Sequence, residues 1–187
     1  MTLHIKNMVC LRCKMTVESE LKRLGFDPLS IELGEVDFKQ NLLSEEIEKI
    51  ENALNKYGFE VITDKRSQII EQIKTAAIEY IYQNDADERR LNFSDYLEKK
   101  LLKDYTYLSN LFTEMVGSTI EKYLINLKIE RVKELLVYDE LSLSEIAFQM
   151  GYSHVAYLSN QFKKITGLTT TYFKVIKDNK RQSIEKV

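Results

Sequence analysis

Two cysteines, Cys10 and Cys13, stand three positions apart near the start of the chain and are its clearest candidates for chemistry. In a reducing compartment this pattern favours metal binding or redox chemistry over a structural disulfide. The N-terminus has no long apolar segment of the kind that directs secretion, and no apolar run is long enough to span a bilayer. We therefore expect a cytoplasmic protein that does not enter a membrane.

Enzyme chemistry has few candidates in this sequence. It contains two histidines, and we find no Ser-His-Asp set, phosphate-binding P-loop or GxGxxG motif. The net charge of −2 does not by itself indicate nucleic-acid binding. Residues 1–64 hold eight basic against twelve acidic residues, whereas residues 65–187 hold nineteen against seventeen. We expect no enzyme, and we expect any nucleic-acid contact to lie in the second part of the chain.

The elements around the cysteines alternate between strand and helix over residues 1–64. A strand pattern covers residues 3–6, two short alternating segments flank Gly34 as in a hairpin, and a last strand covers residues 59–62. Helical patterns cover residues 14–24 and begin again at Ser44, a plausible N-cap. The order βαββαβ predicts a ferredoxin-like domain. The apolar stripe of its first helix is predicted to be Met15, Val17, Leu21 and Leu24.

A repeat at an offset of 50 residues is the most informative feature of the remaining chain, which has a helical pattern from Ser67 onward. The string 107–112 recurs at 157–162 with five of its six residues identical. Without gaps, the same register aligns Gly117 with Gly167, Thr119 with Thr169 and Tyr123 with Phe173. A polar break at residues 84–88 interrupts the helical pattern, and the domain boundary is placed between residues 64 and 65.

Each copy of the repeat is interpreted as a helix-turn-helix unit. In the second copy Ser144 is the predicted N-cap of the first helix, Gly151 permits the turn, and Ser153 can cap the second helix. In the first copy Leu101 stands in place of Gly151, so its turn must be built differently. The side chains expected to bury the second helix of each unit are Leu108, Phe112, Leu158 and Phe162.

These motifs resemble the DNA-binding domain of the AraC/XylS family of transcription regulators over residues 68–177. The signature is Ser144-Glu145-Ile146-Ala147, Gly151-Tyr152-Ser153 and Tyr157-Leu158-Ser159, followed by Phe162, Lys163, Lys164 and Gly167. Thr170 and Lys174 stand where the family usually has proline and arginine. The resemblance implies two helix-turn-helix units joined by a linker helix, here residues 119–137. The partners it implies are double-stranded promoter DNA and RNA polymerase, and a homodimer is a further arrangement to consider.

The exposed sides of the two second helices are the predicted DNA-reading faces. Asparagine can read adenine through two hydrogen bonds, and valine or alanine can meet a thymine methyl group, whereas His154 and Lys163 are expected at phosphates. The alternative is that these are ordinary solvated positions. The predicted DNA-binding residues are Thr106, Ser109, Asn110, His154, Val155, Ala156, Ser159, Asn160 and Lys163. A linker of roughly 19 residues spans ~28 Å, and successive major grooves on one DNA face lie ~34 Å apart.

The segment Met8–Cys13 resembles the metal-binding loop of heavy-metal-associated domains, and the resemblance covers residues 1–64. It implies a metal site whose ligands are Cys10 and Cys13, and thiolates select soft ions such as Cu(I) or Zn. The helix N-terminus, with Arg12 and Lys14, is expected to lower the pKa of the thiols. Asn7 stands where that family usually has glycine.

Three hypotheses for the thiol pair stay open: a soft-metal site, a thiol redox switch, and a domain that binds no metal and serves dimerisation or another ligand. The expected fold class is α+β, with a βαββαβ ferredoxin-like domain at residues 1–64 and an all-α domain with two helix-turn-helix units at residues 65–187. The expected function is a sequence-specific DNA-binding transcription regulator that responds to a soft metal or thiol redox state. The rival is a metal carrier or detoxification protein whose helical half serves only interaction.

Overall fold

The computed structural model describes residues 1–82, 92–138 and 140–176, and it is an α+β structure in which a small antiparallel sheet precedes a helical half. The predicted polar break at residues 84–88 lies outside the described residues. A 3-10 turn, Asn55–Tyr57, extends the second helix. The elements of the sheet half are β1 (Thr2–Lys6), α1 (Leu11–Arg23), β2 (Ser30–Glu32), β3 (Glu35–Asp37), α2 (Ser44–Leu54) and β4 (Glu60–Ile62).

The four strands form one antiparallel sheet in the order β2-β3-β1-β4. The strands β2 and β3 form the hairpin expected around Gly34, with Glu32 opposite Glu35. Along the chain the order is strand, helix, strand, strand, helix, strand, as the alternating pattern predicts. The ferredoxin-like assignment itself stays a prediction.

One face of the sheet carries the core of this half, in which Leu3 and Ile5 of β1 pack against Val17 and Leu21 of α1. Met15, predicted for the same stripe, is instead 60% exposed. At about 100° per residue, a side chain two positions before Val17 points to the opposite side of the helix. The apolar stripe therefore begins at Val17 and leaves Met15 in solvent.

The helical half has its own hydrophobic core, and its two helix pairs each pack against a long helix. The pair α4–α5 packs against α3, and the pair α7–α8 packs against α6, the predicted linker. The helices are α3 (Lys65–Tyr82), α4 (Phe93–Leu101), α5 (Tyr105–Val116), α6 (Ile120–Tyr138), α7 (Leu143–Gln149), α8 (Val155–Thr166) and α9 (Thr170–Ile176).

The 50-residue repeat in sequence is a repeat of helix boundaries. A capping side chain precedes the first helix of each unit, Asn92 before α4 and Ser142 before α7. Gly117 and Gly167 end α5 and α8 in the left-handed conformation, with φ of 72° and 74°. The helix pairs predicted from the repeat are therefore confirmed.

Aromatic packing repeats in the same register. The rings of Phe112 and Tyr123 have centroids 5.5 Å apart, and the aligned rings of Phe162 and Phe173 are also 5.5 Å apart. Each pair joins the second helix of a unit to the helix that follows it, α6 in one case and α9 in the other. Aromatic pairs at this separation add to the free energy of folding beyond their buried area.

The predicted N-cap of α7, Ser144, is wrong by two residues. Ser142 is the cap, because its Oγ accepts the Glu145 N–H while the Glu145 carboxylate accepts the Ser142 N–H. This reciprocal capping box satisfies two backbone donors at once. Ser142, three residues before Glu145, is therefore the cap, and Ser144, directly before Glu145, is not.

The caps predicted at Ser44 and Ser153 are each one residue off. Ser44 is the first residue of α2, and Glu46 accepts the N–H of Leu43, which occupies the cap position. Ser153 lies one residue before His154, which is the residue that precedes α8. The helix α2 thus begins one residue earlier, and α8 one residue later, than the predicted caps imply.

The turns inside the two helix pairs differ, as the exchange of Gly151 for Leu101 predicts. Gly151 has φ of 72°, and a glycine accepts this left-handed conformation without a steric cost. In the first unit α4 runs on to Leu101, and the left-handed residue is Leu102, with φ of 52°. Leu102 is 88% exposed, so its strained backbone gains little from packing in return.

The helix α3 connects the two halves by packing against the sheet half. A Cβ on Gly34 would lie 3.1 Å from Thr75 Oγ1 of α3, so the hairpin turn and the helix approach closely. Gln72 Nε2 donates to Glu35 Oε1 at 2.6 Å. Val9, immediately before Cys10, packs against the core of the helical half. The cysteine loop is therefore in contact with the helices.

Substitutions in the two turns should have opposite effects on stability. Because a non-glycine residue in the left-handed region costs about 1–2 kcal/mol, Leu102→Gly should raise the free energy of unfolding by up to about 1 kcal/mol. Leu102→Ala should leave it nearly unchanged, and Gly151→Ala should lower it by about 1 kcal/mol. Urea denaturation followed by circular dichroism measures all three. A loss of stability in Leu102→Gly would contradict the assignment of strain to this residue.

Candidate functional sites

The two helices predicted to read DNA, α5 and α8, are each 12 residues long and each bury one side. Leu108 and Phe112 of α5 are completely buried, as are Leu158 and Phe162 of α8. The spacing of four residues places each pair on a single side of its helix, as predicted. The opposite side of each helix faces solvent.

The predicted DNA-binding residues lie on or beside this outer side, with one exception. Val155 is half-buried and packs against the helical core, because it lies three residues before Leu158 on the same side of α8. The side chains of Asn110 and Asn160 make no hydrogen bond to any part of the chain that the structure describes. The exposed positions are Thr106, Asn110, His154, Ala156, Asn160 and Lys163, and Ser109 and Ser159 are half-buried.

The N-termini of α5 and α8 differ in charge. The Asp104 carboxylate caps α5 by accepting the N–H of Tyr107 at 3.1 Å. At the aligned position His154 precedes α8, and its side chain makes no capping hydrogen bond. Free N–H groups of a first helical turn attract anions. The start of α8 can therefore receive a phosphate, which the Asp104 carboxylate would repel at the start of α5.

The C-terminal halves of the two helices differ in the same sense. Lys163 and Lys164 are exposed on α8, whereas the aligned residues of α5 are Thr113 and Glu114. Glu114 Oε2 lies 2.6 Å from the guanidinium of Arg66 at the start of α3. The outer side of α8 is therefore basic, and that of α5 carries a carboxylate paired with the helix that contacts the sheet.

Two tyrosines belong to the outer sides but are absent from the predicted DNA-binding residues. Tyr107 is 49% exposed and Tyr157 is 67% exposed, and each lies three residues before the asparagine of its helix. Their signal in the sequence is the repeat itself, since an aromatic residue recurs at the same place in both copies. Because the repeat also marks packing residues, the sequence alone does not separate them from the core.

The two cysteines lie at the start of α1, which begins at Leu11, so Cys10 is the cap residue and Cys13 lies in the first turn. Their Sγ atoms are 3.3 Å apart. Thiolate sulfurs bind zinc at about 2.3 Å, so one ion can reach both atoms. No group of three or more His, Cys, Asp or Glu side chains suited to a metal occurs in residues 1–82, 92–138 and 140–176.

Asn7 stands where heavy-metal-associated domains usually have glycine, and it has a backbone conformation that glycine adopts easily. Its φ is 70°, in the left-handed region that asparagine tolerates better than most residues. Its Nδ2 donates to the carbonyl oxygen of Gly58 at 2.8 Å, which ties the cysteine loop to the end of the turn after α2. The exchange of glycine for asparagine is thus compatible with this loop.

The predicted lowering of the thiol pKa is wrong for Cys13. Burial raises the pKa of the Cys13 thiol, and this outweighs the lowering by a hydrogen bond from the backbone of Val9. The ammonium of Lys14, expected to stabilise the thiolate, instead pairs with Glu32 at 2.9 Å. Cys13 is therefore a thiol at neutral pH, and a bound metal must displace its proton.

Residues 97–174 match the family described as "Helix-turn-helix domain". This match covers α5 to α8 entirely, the second half of α4 and most of α9. The helical half of the chain is therefore similar to helix-turn-helix domains over these residues.

Curated relatives that are transcriptional regulators align with part of the chain. An HTH-type transcriptional activator, RhaR of Cronobacter sakazakii, is 39% identical over 62 residues, which are 33% of this chain and 22% of that protein. The Msm operon regulatory protein of Streptococcus mutans is 30% identical over 78 residues, 42% of this chain and 28% of that protein. An uncharacterized HTH-type transcriptional regulator of Staphylococcus aureus is 30% identical over 93 residues, 47% of this chain and 12% of the relative. The chain thus spans less than a third of the length of these relatives.

A solved structure, the C-terminal domain of AraT, a response regulator from Geobacillus stearothermophilus, shares the fold. It superposes with a TM-score of 0.51 and 24% identity, covering 64% of this chain and 92% of that domain.

Among the described helices of this chain, none combines the length and hydropathy needed to cross a membrane.

The reactivity of Cys13 should change with pH in the direction that its burial requires. Because burial favours the neutral thiol, the Cys10→Ser variant should react with iodoacetamide along a pH profile whose midpoint lies above that of the same variant unfolded in urea. Mass spectrometry of timed aliquots gives the rate at each pH. Steric protection lowers all rates alike and does not move the midpoint, so coinciding midpoints would contradict the burial effect.

Proposed function

We propose that this chain is a transcription regulator of the AraC type that binds double-stranded promoter DNA through α5 and α8. The observation that carries the proposal is the pair of equivalent helices, each with an unpaired asparagine at the centre of its exposed side. The match of residues 97–174 to a helix-turn-helix family supports it. So do the curated relatives, which are themselves named as transcriptional regulators.

The geometry of α6 suits binding in adjacent grooves. This helix has 19 residues and therefore spans ~28 Å at about 1.5 Å per residue. Adjacent major grooves on one face of DNA are ~34 Å apart. With the widths of the packed helices added, α5 and α8 can each enter one of two successive grooves.

The side chains divide between base and phosphate contacts. Asn110 and Asn160 are assigned to adenine, which asparagine reads through two hydrogen bonds. The Thr106 methyl and Ala156 are assigned to thymine methyl groups. Phosphate contacts are assigned to His154 and Lys163, near the two ends of α8. Ser109 and Ser159 stay candidates for either kind of contact.

Loss of Asn160 tests the assignment to a base. Full-length protein is first used to select bound duplexes from a random-sequence library, and affinities for a selected and a scrambled duplex are compared at one near-physiological salt concentration. Asn160→Ala should lose about 1–3 kcal/mol of discrimination and relax the preference at one base pair. The matched control is Asn41→Ala, the same exchange at an exposed position of the sheet half. Equal wild-type affinities for both duplexes would contradict DNA reading altogether, and a uniform loss across sequences would make Asn160 a phosphate contact.

The sheet half is proposed as the sensing half, with Cys10 and Cys13 binding Cu(I) or Zn. The sulfur separation of 3.3 Å supports a shared ion. Val9 supports the coupling, because it contacts the helical core one residue before the first cysteine. Oxidation of the two thiols is the second candidate signal, and it is favoured by the same separation. Dimerisation and contact with RNA polymerase remain further proposals for the whole protein.

The rival function, a metal carrier or detoxification protein, would use the same two thiols. It would require no base preference in α5 and α8. The repeated helix pair in one chain favours the regulator, because an interaction module has no need of a second copy of the same exposed side chains.

Metal binding and DNA binding should be coupled if the sensing proposal holds. Reduced protein, free and bound to the selected duplex, is titrated with Cu(I) and with Zn. A coupling of roughly 5–150-fold is expected, and it must be reciprocal. The Cys10→Ser, Cys13→Ser double variant should bind neither metal. Val9→Ala should bind metal like wild type but lose most of the coupling, whereas Leu11→Ala, at an exposed neighbouring position, should keep it.

Three results distinguish the alternatives. Metal binding no stronger in wild type than in the double serine variant would remove the metal site. A metal affinity that is the same for free and DNA-bound protein would show a metal site that does not regulate DNA binding at equilibrium. A metal carrier requires such a site. Altered DNA affinity after mild oxidation, reversed by a reductant and absent from the double variant, would assign the signal to redox chemistry.

A further inference from the structure

We propose that the preferred DNA site holds two copies of one short base element in the same orientation, one read by α5 and one by α8, with centres roughly 10–11 base pairs apart. This inference rests on the proposed DNA binding. It concerns what the two helices read, which DNA binding by itself leaves open.

The exposed residues in the first halves of the two helices are nearly the same. Tyr107 aligns with Tyr157, and Asn110 aligns with Asn160. Ser109 and Ser159, half-buried in both helices, also match. The next exposed pair, Thr106 and Ala156, differs in name but offers a methyl group in both helices, and either methyl can meet that of thymine. At these four aligned positions the two faces therefore present the same donors, acceptors and apolar groups, except for the Thr106 hydroxyl, which Ala156 lacks.

Apart from Thr106 and Ala156, the exposed residues that differ are the caps, Asp104 and His154, and residues in the C-terminal halves of the helices. His154 is assigned to a phosphate rather than to a base. In helix-turn-helix proteins the N-terminal residues of the second helix contact base edges. The exchanges of Thr113 for Lys163 and Glu114 for Lys164 fall at the ninth and tenth residues of the 12-residue helices. They change charge near the phosphates, which carry no sequence information. The charge difference thus alters how strongly each helix is held and leaves its base preference alike.

The packing of α6 indicates a head-to-tail relation between the two units. Near its start Tyr123 packs against Phe112 of the first unit, and further along Lys128 lies 5.6 Å from the ring centroid of Tyr152 in the second. The first unit packs on α3 as the second packs on α6. A twofold relation would join the units through one shared, self-complementary surface. Here each unit instead follows a long helix, α3 or α6, so the two units repeat in the same direction along the chain. The base elements that they read should therefore not be palindromic.

The library selection with full-length protein tests this arrangement directly. The enriched duplexes should contain two similar elements in the same orientation. Four designed duplexes follow: the intact site, the site with either element scrambled, and the site with one element inverted in place. Scrambling or inverting one element should weaken binding roughly 5-fold or more. Inserting five base pairs, about half a helical turn, should weaken it similarly, because the second element then faces the other side of the DNA.

Two variants assign the elements to the helices. Asn110→Ala and Asn160→Ala should each relax the preference at one base pair, the same base in different copies, while Asn41→Ala changes neither. Circular dichroism establishes that each variant is folded, and the duplex comparison needs no variant. Enrichment of one element, two unrelated elements or an inverted pair would overturn this inference and leave DNA binding standing. No enrichment of any sequence would overturn both.

Discussion

The structure of the helical half depends on one constraint, which is that a pair of short helices cannot bury its apolar side without a third. The helix α7 has seven residues and α8 has twelve, and both close on α6. Through Tyr123 the same helix also closes the first unit. Since α6 serves both pairs, it fixes the separation of α5 and α8. It is buried on so many sides that even the Glu130–Lys133 pair, 2.6 Å apart, is 8% exposed at both side chains.

What the sequence predicts well follows from local rules that the fold does not overrule. The repeat at 50 residues located both helix pairs, and glycines marked their ends, because few other residues accept a left-handed backbone. What it predicts poorly depends on competition between neighbours. Ser144 has a good capping side chain, but Ser142 is the cap because Glu145 lies three residues after it, as a capping box requires. Val155 has an aliphatic side chain fit for thymine, yet its place before Leu158 turns it half inward.

The thiol pKa shows the same limit for chemistry. Sequence neighbours predict a lowered pKa of Cys13, since two cations and a helix N-terminus stand close by. Burial raises it, and Lys14 is turned to Glu32 of the adjacent strand β2. Neither the depth of the sulfur nor the partner of the lysine can be read from residues 10–14 alone. The separation of the two sulfurs, by contrast, follows from their spacing at a helix start and could be anticipated.

A signal at the cysteines can alter DNA binding only if it changes an element that DNA also constrains. Under the proposed function α3 would be such an element, because it packs against the sheet half and against α4, α5 and α6. Its start is linked to α5 by the ion pair of Arg66 with Glu114, and its middle is linked to β3 by the bond from Gln72 to Glu35. The exposed ion pair contributes at most about 1 kcal/mol, so it is not what fixes the position of α5. A ligand that moves the loop before α1 would act through Val9 on this same packed group. Of the two proposed recognition helices, α5 is therefore the one that α3 links to the sheet half. Under the proposed function, a signal from the cysteine loop would reach α5 before it reaches α8.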